Sequence, residues 1–342
     1  MKSLCENQNV FPFQKKVKDL RILDKTVGFW QQKALEGHHF GDLELNEALY
    51  VTPHFFANFK PIGKDYLFDL KTKTSFFHPF EPPCNTVRMS LFKPHEGLSG
   101  CIKRELQELK SFVCRVTPNG PSPHCLRLPI YQEWANPITH WSHILDTNIM
   151  ALERKVLDYK GKVNFMREPG AKIHPTAWVE NSTIEEGAEI EAFASVRFSH
   201  VGRSAKVAAH TILDHCVLGA GSQTLVDSHL RRVVVGQNST AANLGLFDSV
   251  IGDNAFVTTA VSVFGQQPGQ YPEIKGKTFY RPAIGVCIGD GAIVGARALF
   301  QAGIALQDGA LVVGRPDEVA SQLDEPGLKR GKMQLGDRNK QV

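Results

Sequence analysis

A six-residue period in the C-terminal half of the chain constrains the fold more than any other feature. Every sixth residue from position 288 onward is apolar, in the series Ile288, Val294, Phe300, Leu306 and Val312. Four positions after each of the first four stands another apolar residue, in the series Ala292, Ala298, Ile304 and Ala310. A period of six is neither the 3.6-residue repeat of a helix nor the two-residue alternation of a strand. It indicates a parallel β-helix, in which each short strand is followed by a corner.

The same period recurs upstream, with occasional steps of five between groups. Apolar residues stand six apart in the series Ile184, Ile190 and Val196, and again in the series Val201, Val207 and Leu213. A three-faced prism takes about six residues per face, and its coils stack at about 4.8 Å. The apolar residue of each hexad then points inward, and no coil buries a core without its neighbours. We expect such a prism over residues 166–318.

The remaining chain carries no repeat. Short apolar runs such as 49–51 predict strands, residues 102–110 predict a helix, and the spacing from Trp141 to Val156 predicts an amphipathic helix within 139–165. The resulting layout is a smaller α/β domain over 1–138, a connecting helix over 139–165, the β-helix over 166–318 and a polar tail over 319–342. Residues 266–282, rich in proline and glycine, interrupt the period and predict a loop that leaves the prism and shapes a ligand site.

Composition excludes several classes of protein. The net charge is +4, which is too small to indicate a nucleic-acid surface. Seven scattered cysteines without a C-x-x-C pair predict neither a zinc knuckle nor a redox centre. The sequence has neither a signal peptide nor a run of eighteen apolar residues, so we expect no membrane partner and a cytoplasmic location.

The hexads resemble the left-handed β-helix of hexapeptide-repeat acyltransferases. The stretch 141–148 and the phrase from Ile173 to Ala177 are similar to the connecting helix and first coil of two-domain sugar-nucleotide nucleotidyltransferase/acetyltransferases. Residues 1–60 lack that family's glycine-rich GxGxR loop, so the N-terminal domain is expected to be degenerate. The resemblance implies acyl or acetyl transfer from coenzyme A to a sugar or sugar nucleotide, at subunit boundaries of a homotrimer.

The resemblance also implies a histidine base. The stretch from Leu213 to Gly219 is similar to the family's His-Asp-Cys-x-x-Gly segment, which makes His215 the first candidate. Asp214 is the candidate carboxylate, but the order here is Asp-His, and in a strand a shift of one residue moves a side chain to the opposite face. The reversed order therefore predicts that Asp214 lies on the wrong face to orient His215. His210 is the second candidate, and His200 and His229 are expected to be surface or corner residues.

Cations are required for the phosphates of coenzyme A. The candidates are Lys275, Lys277, Arg281, Arg297 and Arg315. Where sugar-amine acetyltransferases place their base, this chain has Ala242, which argues against that particular reaction. Asn243 and Asp248 are the candidates for substrate contacts.

Three alternatives remain. In the first, the chain is a non-catalytic paralogue that binds a sugar nucleotide or serves assembly. In the second, its N-terminal domain transfers a nucleotidyl group to a sugar 1-phosphate. The third is the zinc site of the trimeric carbonic anhydrases built on this helix, with His174, His210 and His215 as ligands. That family's Arg-Gly-Asp element is missing, so no metal is expected.

Overall fold

A computed structural model describes the following residues: 9–37, 49–54, 59–62, 65–68, 86–90, 101–105, 116–117, 120–121, 135–138, 140–159, 164–242, 246–264, 273–274, 277–278, 283–313 and 334–337. The chain divides into two compact units. The first consists of residues 1–10, 14–154 and 266–283, and the second of residues 11–13, 155–265 and 284–342.

The first unit contains short antiparallel pairs and two helices. A 3-10 turn at Val17–Asp19 precedes β1 (Arg21–Ile22), β2 (Lys25–Thr26) and α1 (Val27–Leu35). The pairs that follow are formed from β3 (Leu49–Val51) with β10 (Ala135–Pro137), β4 (Phe59–Ile62) with β5 (Asp65–Phe68), β6 (Thr86–Ser90) with β7 (Cys101–Glu105), and β8 (Val116–Thr117) with β9 (Gly120–Pro121). The helix α2 (Trp141–Tyr159) begins in this unit and ends in the second.

One helix expectation fails in this unit. Residues 102–105 belong to the strand β7, where Ile102 pairs with Met89 of β6, so the prediction of a helix from 102 was wrong. The antiparallel ladder overrides the local helical preference of these residues. Positions 106–110, and the apolar runs 112–114 and 128–131, lie outside the described residues. The α2 helix lies within the stretch 139–165 where the apolar spacing placed it.

The strands from residue 166 onward are short and numerous. They are β11 (Met166–Arg167), β12 (Lys172–Ile173), β13 (Trp178–Glu180), β14 (Thr183–Ile184), β15 (Glu189–Ile190), β16 (Ser195–Arg197), β17 (His200–Val201), β18 (Lys206–Val207), β19 (Ile212–Asp214), β20 (Val217–Leu218), β21 (Gln223–Thr224), β22 (His229–Val235), β23 (Thr240–Ala241), β24 (Leu246–Ile251), β25 (Phe256–Val257), β26 (Ser262–Phe264), β27 (Glu273–Ile274), β28 (Lys277–Thr278), β29 (Cys287–Ile288), β30 (Ile293–Val294), β31 (Leu299–Gln301), β32 (Ala305–Leu306), β33 (Ala310–Val313) and β34 (Gln334–Asp337).

Apart from β27, β28 and β34, these strands stack in parallel on three faces. Face A contains β11, β14, β17, β20, the second halves of β22 and β24, β29 and β32. Face B contains β12, β15, β18, β21, β23, β25, β30 and β33, and β34 joins its last strand in antiparallel orientation. Face C contains β13, β16, β19 and the first halves of β22 and β24. Chain order also places the parallel pair β26 and β31 on face C.

The register shows why the sequence period slips. Leu213 pairs with Leu230, so a full coil takes 17 residues and one of its three steps is five rather than six. A later coil takes 16 residues, from Leu230 to Leu246, and the last takes 18, from Ile288 to Leu306. The predicted fold, mainly β with a parallel β-solenoid of about seven turns, is confirmed.

The apolar residues of the hexads form the core of the solenoid, as predicted. Leu213 on face C, Val207 on face B and Val201 on face A are each 0% exposed. Small residues occupy the positions near the corners, where a larger side chain would collide with the neighbouring coil; examples are Ala188, Ala194 and Ala205. Burial of these rows is the main stabilising contribution to the solenoid because each short strand forms few hydrogen bonds of its own.

The predicted insertion leaves the solenoid. Ile251 pairs with Ile288, 37 positions later, so about twenty residues are added between two adjacent coils. Residues 266–283 belong to the first unit, and the described part of this insertion is the antiparallel pair β27 and β28. Among the described residues, no helix combines the length and the apolar character needed to cross a bilayer.

Candidate active site

The corner between face C and face A carries a column of side chains that we call the third corner. It consists of residues that have positive φ angles from 43° to 55°, one per coil: Asn181, Phe198, His215, Arg232 and Asp248. The chain turns sharply here, and the left-handed conformation is the backbone solution for such a turn. Asn, Asp and His tolerate this conformation better than most residues, whereas a phenylalanine or arginine adopts it rarely. The regular coil spacing places these residues one above another.

His215 and Asp214 form a hydrogen-bonded pair at this corner. His215 Nδ1 lies 2.8 Å from Asp214 Oδ1, and the two side chains are 29% and 21% exposed. Asp214 ends β19 with its side chain on the outer surface, beside the inward Leu213. Because His215 has a φ of 55° rather than a strand conformation, its ring turns back toward Asp214. The expectation that the reversed order separates the two side chains was therefore wrong, since strand alternation ends at the corner.

The electrostatic surroundings keep Asp214 ionised. The hydrogen bond with His215 is the largest effect and lowers the pKa of the Asp214 carboxyl; burial opposes it, and the charges of His215, Arg197 and Arg231 lower the pKa further. Arg231 lies on the next coil, and its Nε is 3.7 Å from Asp214 Oδ2. An ionised carboxylate at Nδ1 holds the proton on that nitrogen and leaves Nε2 as the basic nitrogen of the ring.

Two further residues of the third corner stand one coil before and one coil after His215. Phe198, one coil before His215, stacks on the imidazole with the ring centroids 4.8 Å apart. Arg232, one coil after it, donates from Nε to Asp248 Oδ1 at 2.7 Å. Sequence reasoning missed the roles of Phe198 and Arg231, although a comparison of residues 17 apart would have aligned them with the His215–Asp214 pair.

His210 lies at a different corner. It is exposed, has a φ of 58°, and stacks on Phe193 with the centroids 5.1 Å apart at the corner between face B and face C. The residue before it is Ala209, so it lacks the carboxylate that His215 receives from its sequence neighbour. The structure thus separates the two candidate bases, and the carboxylate favours His215.

The other two histidines differ from each other. His200 is 0% exposed, with Nε2 3.4 Å from Glu185 Oε1, so the expectation of a surface residue was wrong for it. It occupies the outer side of face A, where its neighbours Thr183 and Val217 are also buried. His229 is partly exposed and contacts Phe247 edge-on, with the centroids 5.5 Å apart. Neither histidine belongs to the third corner.

The structure places few of the other candidates. Arg297 is exposed at the corner of His210, with a φ of 61°, rather than at the third corner. Asp248 belongs to the third corner, where it binds Arg232. Lys277 lies in β28. Lys275, Arg281, Arg315 and Asn243 lie outside the described residues.

Cys216 follows His215, but its geometry does not suit a nucleophile. The thiol is fully buried, and it donates to the carbonyl oxygens of Asp214 and Leu230 at 3.4 and 3.3 Å. Burial raises the pKa of Cys216 to about 12, so the sulfur stays protonated. Within the part of the chain that the structure describes, no group of three His, Cys, Asp or Glu side chains could hold a metal ion. His210 and His215 stand at different corners, which does not favour a shared zinc.

Comparisons with known proteins give a partial likeness. No family model matches the chain, and no curated protein matches it. A solved structure of a perosamine N-acetyltransferase variant from Caulobacter crescentus, in complex with CoA and GDP-perosamine, is similar to 48% of this chain at 19% identity, with a TM-score of 0.26. The match spans 60% of the length of that protein.

Two more solved structures are similar to parts of the chain. The polysialic acid O-acetyltransferase OatWY matches over 44% of this chain and 85% of its own, at 9% identity and a TM-score of 0.18. WeeI from Acinetobacter baumannii AYE matches over 53% of this chain and 76% of its own, at 16% identity and a TM-score of 0.16. The coil register and the buried rows, rather than these matches, establish the fold. Fold and site together define a β-solenoid protein with a hydrogen-bonded imidazole–carboxylate pair on its outer surface.

The lowered pKa of Asp214 predicts a pH-dependent contribution to stability. A carboxyl whose pKa is lower in the folded state stabilises that state above the unfolded value of 3.8, and the contribution is lost as the pH falls through the folded value. We expect Asp214→Asn to lower the free energy of unfolding by about 0.5–1 kcal/mol at about pH 6 and by much less at about pH 3. Urea unfolding at both pH values measures the difference.

Asp227→Asn is the matched control for this measurement. Asp227 is an exposed corner residue with a φ of 59°, and we expect its replacement to change stability equally little at both pH values. A loss in Asp214→Asn that is the same at both pH values would show that the carboxylate charge is not responsible.

Proposed function

We propose that the protein transfers an acyl group from coenzyme A to a hydroxyl or amine of a sugar or sugar nucleotide. The observation that supports this best is the hydrogen bond of 2.8 Å between His215 Nδ1 and Asp214 Oδ1 on the outer corner of a β-solenoid. Acyl transfer needs a base that removes a proton from the acceptor near neutral pH, and imidazole is the usual side chain for this step. The base also needs a neighbouring group that fixes its tautomer, and Asp214 is that group.

In the proposed reaction a single imidazole first accepts a proton and later returns it. His215 Nε2 takes the proton of the acceptor while the acceptor oxygen or nitrogen attacks the thioester carbonyl carbon. The C–S bond of the tetrahedral intermediate then breaks, and the imidazolium returns the proton to the leaving thiolate of coenzyme A. The Asp214 carboxylate stays ionised through both steps and stabilises the imidazolium, as its lowered pKa allows.

The donor and acceptor contacts are further parts of the proposal. Lys275, Lys277, Arg281, Arg297 and Arg315 are the candidates for the coenzyme A phosphates. Asn243 and Asp248 are the candidates for acceptor hydroxyls. Arg232 holds the Asp248 carboxylate at 2.7 Å and stands one coil after His215 in the same column, which supports a role of this ion pair in orienting an acceptor.

We also propose that the active site is completed by other copies of the chain in a homotrimer. Face C exposes large apolar side chains in alternate coils: Trp178 is 63% exposed, Ile212 is 38% exposed and Phe247 is 43% exposed. Apolar side chains grouped on one face of a folded protein are typical of an interaction surface. A trimer has three times the chain mass of 37.9 kDa, which light scattering measures directly.

One observation favours a non-catalytic alternative. Ala242, at the position of the base in sugar-amine acetyltransferases, is 0% exposed, and its backbone N–H donates to Val257 O. A chain that has lost its base at this position and retains only binding would serve as a sugar-nucleotide-binding or assembly protein. The two proposals differ in whether free coenzyme A thiol is produced.

The test combines binding with turnover. Thermal unfolding is followed with acetyl-coenzyme A, coenzyme A, UTP and UDP-sugars, and the release of coenzyme A thiol is measured by mass spectrometry with the same sugars as acceptors. We expect acetyl-coenzyme A to raise the unfolding temperature and a sugar to increase thiol release. Stabilisation by a UDP-sugar without thiol release would favour the binding protein, and stabilisation by UTP alone would favour nucleotidyl transfer.

A further inference from the structure

Phe198 lies against the ring of His215 in a close and parallel arrangement. Their centroids are 4.8 Å apart and their planes differ by 6°. Both residues have positive φ, 43° and 55°, and they occupy the same position in successive coils. We propose that Phe198 is a positioning residue for His215, which fixes the plane of the imidazole while Asp214 selects its orientation within that plane.

The two contacts restrict different motions of the ring. Rotation about the last side-chain bond of histidine has broad, two-fold wells, so a hydrogen bond at Nδ1 alone leaves the plane of the ring loosely defined. A parallel neighbour restricts that plane, because a tilted imidazole loses the stacking contact. Stacking does not distinguish two orientations related by a half-turn. The bond of 2.8 Å to Asp214 does, since only one orientation puts Nδ1 at Oδ1.

The separation of the rings fits an attractive stack. The centroid distance of 4.8 Å between the nearly parallel rings lies within the range of about 4.5–7 Å that attractive aromatic pairs adopt. The phenyl ring also covers one face of the imidazole, and the His215 side chain is 29% exposed.

The chain contains a second phenylalanine–histidine stack, at the corner between face B and face C. Phe193 stacks on His210 with the centroids 5.1 Å apart and an angle of 17°, and both residues also have positive φ. The residue before His210 is Ala209, where His215 has Asp214. If a phenylalanine–histidine stack has only a structural role, replacing the phenylalanine should have the same consequences at both corners. A positioning role predicts a consequence for the acyl transfer only at the third corner.

The experiment measures the tautomer of His215 together with turnover, because the inference rests on the proposed function. Long-range ¹H–¹⁵N NMR spectra report which ring nitrogen of each histidine carries the proton, and a His215→Gln variant assigns the signal. We expect one Nδ1-protonated form in the wild type and a mixture of tautomers in Phe198→Leu, because an imidazole that is free to tilt is hydrogen-bonded to Asp214 for only part of the time. For the same variant we expect kcat to fall about two- to tenfold with KM changed by less than about twofold.

Two further variants make the result specific. Phe198→Tyr keeps the ring and is expected to restore both the tautomer and kcat, whereas Phe193→Leu is expected to change neither. An unchanged tautomer in Phe198→Leu, or a loss of kcat that Phe198→Tyr does not restore, would overturn the positioning role. If the wild type transfers no acyl group to any acceptor, the proposed function fails, and the NMR measurement still decides whether Phe198 positions the ring.

Discussion

Replacing His215 with alanine is expected to lower kcat for acyl transfer by about 10²–10⁴-fold, the usual contribution of a general base. In the proposed reaction the imidazole takes the acceptor proton, and among the described residues of the third corner His215 is the one imidazole, with a carboxylate at 2.8 Å. KM should change little, because the imidazole acts on the proton in the transition state rather than on bound substrate. Initial rates of coenzyme A thiol release, measured over a range of acceptor concentrations, separate the two constants.

His210→Ala is the contrasting variant. His210 is also a corner histidine with a stacked phenylalanine, and it lies in the same coil as His215, five residues earlier. We expect His210→Ala to retain turnover within about twofold of the wild type. Full activity in His215→Ala, or a large loss in His210→Ala alone, would show that the base was assigned to the wrong corner.

Replacing Leu213 with alanine is expected to lower the free energy of unfolding by about 2–5 kcal/mol, the usual range for a fully buried leucine. Leu213 is 0% exposed and stacks between Val196 and Leu230 of the adjacent coils. The cavity interrupts a continuous row, and neighbouring coils cannot close it without breaking their own registers. Urea unfolding followed by circular dichroism at the β-sheet band measures the change.

Leu225→Ala is the matched control, because Leu225 is also a leucine and lies on the outer surface of the solenoid, outside face C. Its side chain is 39% exposed, so we expect a loss below about 1 kcal/mol. Equal losses in the two variants, or a larger loss in Leu225→Ala, would contradict the inward row of the solenoid.

The solenoid could be predicted from the sequence because its determinants are local and repeated. Each coil places one large apolar residue per face, so Ile288, Val294 and the residues that follow them show the period directly. The steps of five that interrupt the period upstream are the shorter face of a 17-residue coil. The insertion could also be predicted from the sequence, because the six-residue period stops before it and resumes after it. The helix expected from residue 102 failed, because pairing with residues 86–90 depends on a partner that no local pattern reveals.

The candidate site was only partly predictable. The sequence identified His215 and Asp214 as the candidate base and carboxylate. It did not predict their contact, because that contact depends on a positive φ at a corner. Strand alternation, the rule that placed the two side chains on opposite faces, does not hold where the strand ends. The stack of Phe198 on His215 joins residues a whole coil apart, so it becomes visible only after the coil length is known.

A crystal structure with bound acetyl-coenzyme A, or a stable thioether analogue, tests the assignment of the active site most directly. We expect the sulfur of the bound donor to lie within about 4 Å of the His215 ring, so that Nε2 can return a proton to it. We also expect Asp214 to keep its hydrogen bond to Nδ1 in the complex. A donor whose sulfur lies beside His210, or at a surface that contains neither histidine, would contradict the proposed active site.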